Sequence, residues 1–153
     1  EAIWLFQEEI LDQALESEFQ KRLHKRWQEF SGNPRKQENE RRTVCLDIQA
    51  PILERYGFEG SLKGLFQSAI DCRINDEKVG LLDCILKWLT HPGDKVWQVL
   101  WPMLKLFRQD RSVGALRSVV TKVHEMLHEL DEQEKARVAK KEEDGAKEIA
   151  AAS

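Results

Sequence analysis

Between Asn75 and Leu130 three amphipathic segments follow one another with almost no spacer, and that stretch confines the chain to helical architectures. Each segment opens alike: Asp76 stands three residues before Val79, Asp94 two before Val96, and Asp110 three before Val113. A carboxylate so placed accepts bonds from the orphan backbone N–H groups of a first helical turn and complements the positive end of the dipole. The repeat distance, roughly seventeen residues, fits one helix plus a tight turn, the unit of bundles and of helical-pair solenoids alike.

The flanking sequence continues the pattern. Leu11, Leu15, Phe19, Leu23, Trp27 and Phe30 recur at steps of four and then three with no Gly or Pro between them, which predicts one long helix over Ala2 to Phe30. Steps of four advance about 40° beyond a full turn, so this stripe wraps around its helix. Ser31, Gly32, Asn33 and Pro34 end it. Arg35 to Tyr56 reads as a helix with a charged first half and an apolar second half, where Pro51 is expected to break the ladder or restart it. Ser61 caps a helix with one buried face (Leu62, Leu65, Phe66, Ala69, Ile70), ending near Asn75.

The next helix carries Val79, Leu82, Ile85, Leu86 and Leu89, an apolar arc so wide that it should be the most enclosed element. Pro102 should kink or split the run from Val96 to Phe107. The last helix starts near Ser112 with Val113, Leu116, Val120, Val123, Leu127 and Leu130 alternating steps of three and four, a heptad seam. Beyond Leu130 charge takes over, with Asp131/Lys135, Glu143/Lys147 and Glu134/Arg137 at helical pairing distances. The expected fold is therefore all-α: a bundle of five or six helices, or stacked antiparallel pairs, over residues 1–130, with an extended charged helical tail over 131–153.

At 153 residues such a chain can bury a core without disulfides or metal. Three cysteines, Cys45, Cys72 and Cys84, form no CxxC pair, which suits a reducing intracellular compartment; an organelle entered after removal of a targeting segment is the alternative. No apolar run reaches the length of a membrane span, the best being interrupted by Gln98, Pro102 and Lys105.

Three constellations bear on function. His124, Glu125, Met126, Leu127 and His128 spell HExxH and so resemble the zincin metalloprotease motif, in which two His one turn apart bind zinc and the Glu activates a metal-bound water. The resemblance spans five residues. Lys122 and Glu129 stand where the longer zincin pattern has uncharged residues, and Asp131 stands where its extended form needs a Gly turn toward a third ligand. The structural reading places His124 and His128 beside a packing seam, and no metal or other cofactor is expected.

The second constellation is the basic segment Lys21 to Arg42, with eight Lys or Arg against three Glu. It gives a local net charge of +5 against −8 elsewhere, and Arg35, Lys36, Arg41 and Arg42 are its candidate contacts for nucleic acid or an anionic surface. The bland alternative is a solvated helix end.

The third is aromatic: five Trp in the chain, with Trp97 and Trp101 one turn apart and Trp4 and Phe6 at an apolar start. These four are the candidate contacts for other protein chains, weighed against ordinary core packing. The reading that follows is a non-enzymatic interaction module or accessory subunit of a larger assembly, with the basic-surface binder and the zinc hydrolase as alternatives.

Overall fold

The structure, a computed structural model, describes residues 2–71, 76–93 and 95–152, with side chains throughout those ranges except at 2–4, 66, 69–71, 106 and 108. The chain forms α1 (Ala2–Ala14), α2 (Ser17–Glu29), α3 (Pro34–Arg55), α4 (Leu62–Asp71), α5 (Glu77–Leu89), α6 (Lys95–Leu100), a 3-10 turn (Trp101–Met103), α7 (Leu104–Gln109) and α8 (Val113–Ala152). No strand occurs among the described residues, so the fold is all-α.

The segment read as one long first helix is two. The backbone turns extended at Glu16, and the helix restarts at Ser17. The wrapping stripe explains the break. A one-residue reset returns Phe19 and Leu23 to the core that Leu11 and Leu15 already fill, and all four are buried. The break frees the Ala14 carbonyl, which the buried Gln20 side chain recovers by donating to it at 2.7 Å.

α2 and α3 form an antiparallel hairpin, since Trp27, Arg26 and Arg22 meet Gln37, Glu40 and Asp47 in reverse order. Its turn works as the sequence implies. Gly32 adopts φ 88°, a conformation L side chains rarely take, and the Asn33 side chain accepts from Lys36 N at 3.2 Å with Pro34 in the first turn. Pro51, by contrast, neither breaks nor restarts α3, which runs unbroken through it to Arg55. Ile52 and Leu53 just beyond it are buried, and tertiary packing of this kind holds a helix where local propensity is poor.

α5 is the centre of the bundle. Leu82, Ile85 and Leu89 are fully buried, and the helix packs against α1, α6 and α8. Asp76 caps it, accepting from Lys78 N and Val79 N. The turn after α5 brings Gly93 against Trp27, where any Cβ would sit 2.7 Å from the indole. Pro102 splits the next run at the 3-10 turn, as its ring requires. Asp110 accepts from Ser112 N, and Ser112 in turn caps α8 through Ala115 N. Asp94, another of the expected caps, lies outside the described residues, as do Cys72 and Asn75, near which the fourth helix was expected to end.

α8 runs parallel to α5, with Glu77 paired to Arg117 at one end and Trp88 against His124 further along. Its buried residues are Leu116, Val119 and Val123; Leu127 packs at the edge and Leu130 is 44% exposed. The helix does not stop there. It continues without interruption to Ala152. A second, smaller cluster of Phe6, Ile10, Ile52 and Leu53 joins α1 to α3, with Tyr56, Phe58, Leu65 and Leu86 against it.

Candidate functional site

The HExxH pentapeptide lies on α8, so its two imidazoles share a helix face as the spacing requires. His124 sets its ring edge-on to Trp88, centroids 5.4 Å apart, while Glu125 and His128 face solvent. The helix continues straight through Asp131, and Glu134, three residues beyond it, is taken at 2.7 Å by Lys95 of α6. No group of three or more His, Cys, Asp or Glu gathers as a metal site among the described residues.

The two described cysteines, Cys45 and Cys84, are free thiols. Cys45 is buried, and burial pushes its thiol up to about 11; burial also raises Cys84.

The basic segment divides between the ion pairs of the α2/α3 hairpin and solvent. Arg41 is the most engaged of the four candidates: it bonds Glu38 at 2.6 Å, donates to the Thr90 carbonyl at 3.4 Å and lies over Cys45. That bond to Arg41 is the first cause holding the Glu38 carboxyl below its usual range and the Arg41 guanidinium above its own. Arg42 shares the same carboxylate at 3.2 Å. Lys36 lies 5.1 Å over the Phe30 ring, and Arg35 is exposed. Glu38 and Glu40 thus sit among the basic groups, and the surface is a mixed one rather than a continuous cationic track.

The aromatic candidates have separate fates. The Phe6 ring is 7% exposed and packs edge-on to Tyr56, centroids 5.5 Å apart. The Trp4 side chain lies outside the described residues. Trp97 and Trp101 stack at 5.1 Å, both half-buried, and Trp97 also donates its indole N–H to Gln20 Oε1 at 3.0 Å. His24 closes this cluster, its ring edge-on to Trp97 at 4.2 Å with Nε2 buried and unbonded. Burial lowers its pKa. The reach of Gln20 between α1, α5 and α6 and the orphaned nitrogen of His24 were not visible in the sequence, because both lie on the polar side of the α2 stripe.

One surface remains that the core does not consume. Lys95, Gln98, Leu130, Gln133, Glu134 and Arg137 rim a shallow groove where α6 meets α8. Past it the side chains of α8 from Val138 to Ile149 are exposed, apart from the half-exposed Gly145. Val138 and Ile149 stand there among the charges at 48% and 73% exposure. Both were passed over in the sequence because the heptad seam ends at Leu130. An eleven-residue step from Leu127 finds them.

Comparison of the chain with protein-family models, with curated proteins and with solved structures finds no match.

Proposed function

We propose that this chain is a non-enzymatic interaction module, an accessory or structural subunit that contacts other protein chains chiefly through the projecting part of α8. One observation carries the reading. From Glu134, the last residue of α8 with a described ion pair to another helix, the rod runs eighteen residues on to Ala152, roughly 27 Å at 1.5 Å per residue. Along it Val138 and Ile149 stand in the open, in line with Leu116 and Leu127, which pack against the body. The stacked Trp97–Trp101 pair, half-exposed on the body, supplies a second contact surface.

Light scattering after size exclusion, together with affinity capture, tests this. The full chain should be recovered in a complex that is lost when residues 132–153 are removed. A strict monomer that captures nothing, with or without those residues, would overturn it.

A further inference from the structure

We infer that the projecting segments of two copies of this chain pair side by side in opposite directions, about a two-fold axis passing between Glu143 and Asp144. The inference rests on the reading that this segment is a contact surface, and it names the partner as a second copy.

The argument starts from spacing. Leu116, Leu127, Val138 and Ile149 stand eleven residues apart, and eleven residues make three turns plus about 20°, so all four lie on nearly one line along α8. Leu116 is fully buried and Leu127 packs against the core, which makes Val138 and Ile149 the outward continuation of the seam that holds α8 to the body. Between them the same face carries Gly145, which lets a second helix come close, and Glu142, which about this axis lies level with Gly145 of the other copy, while Ala146 stands at the edge.

Opposed direction follows from charge. Lys141 and Glu148 flank the line on one side. A second copy running antiparallel, with its Ile149 level with Val138, brings each Lys141 to within about 3 Å, measured along the axis, of the other copy's Glu148. Arg137 is offset from that same Glu148 by a similar amount on the opposite side. The two-fold axis repeats every one of these contacts. A parallel arrangement would instead set Val138 on Val138 and Lys141 on Lys141, opposing like charges. Lys141 and Glu148 are seven residues apart, too far to pair within one helix, where neighbours lie three or four apart. Their complementarity is therefore expressed only between helices.

A pairing of about five turns with two Val–Ile layers is a weak association, at the low end of specific interfaces. Sedimentation equilibrium on the full chain from about 10 μM to about 1 mM spans the dissociation constants such a contact gives. The apparent mass should climb toward twice that of the chain. Val138→Asp should hold it at one chain, while Lys141→Glu and Glu148→Lys should each weaken association by about tenfold. The double variant Lys141→Glu/Glu148→Lys should restore it, because the charges are again opposed across the axis. All three positions are exposed, so an unchanged thermal midpoint controls for folding. A mass that stays at one chain throughout, or a double variant weaker than either single one, overturns the inference. If that monomer still captures another protein through residues 132–153, the pairing alone falls. If it captures none, the interaction reading falls with it.

Discussion

Gln20 joins more of the molecule than any other polar side chain described. Its amide donates to the carbonyls of Ala14 and Leu89, while its oxygen accepts from the Trp97 indole, so one residue ties the end of α1, the end of α5 and α6 together. Gln20→Ala should leave two carbonyls and one N–H without partners in a buried place, at a cost of about 2 to 4 kcal/mol in urea unfolding. A loss below about 0.5 kcal/mol would show that water replaces it at no cost. His24, on the next turn, sets a pH response. Its pKa is lowered by burial from the usual 6.5, so the unfolded chain binds the proton more readily than the folded one. The His24 contribution is thus fully present above about 6.5 and is lost as pH falls from there through the folded value. Unfolding measured at pH 7.5 and 5.5 should show wild type losing more stability on acidification than His24→Phe. Equal losses would remove this residue from the account.

At the scale of the element, α3 and α8 show where sequence reading held and where it did not. Caps were legible at Ser61 and Asp76 because each depends on one side chain and the three or four residues after it, whereas Asn33 was read only as ending the helix before it and the cap of α8 is Ser112 where the sequence pointed to Asp110. The break at Glu16 was not, because its cause is the need to bring Phe19 and Leu23 back to neighbours that are distant in sequence. Pro51 failed as a signal for the same reason: local propensity argues for an interruption, and burial of Ile52 and Leu53 overrides it. Pro51 is solvent-exposed, lacks the N–H that would bond Asp47 O, and crowds that carbonyl. Pro51→Ala should therefore stabilise the fold by about 1 to 3 kcal/mol in thermal or urea unfolding, and a destabilised variant would mean that the ring is itself packed. In the projecting part of α8 the partners also shifted. Glu143 and Lys147 pair as spaced, at 3.1 Å, but Glu134 leaves Arg137 for Lys95, and Lys135 turns to Glu132 at 3.6 Å.

The whole molecule is organised by α5, whose enclosure was readable from the width of its apolar arc, whereas the identity of its neighbours was not. Helical spacing says that a face is hidden and is silent about what hides it. The candidate sites were legible only as residue types. The pattern HExxH is present, and the structure adds its surroundings, Trp88 against the first imidazole and solvent beside the second. Ile85→Ala should cost about 2 to 5 kcal/mol by opening a cavity among α1, α5 and α8, whereas Val138→Ala should leave unfolding of the body within about 0.5 kcal/mol. A comparable loss from both would mean that the far part of α8 folds back onto the body. Because a single uninterrupted rod carries Leu116, Val119 and Val123 at one end and Ile149 near the other, it acts as a lever whose fulcrum lies in the hydrophobic interior. Whatever grips the tip exerts torque on the packing around α5, and amide hydrogen exchange at Leu82 to Leu89 should register an event some 30 Å or more away along the rod.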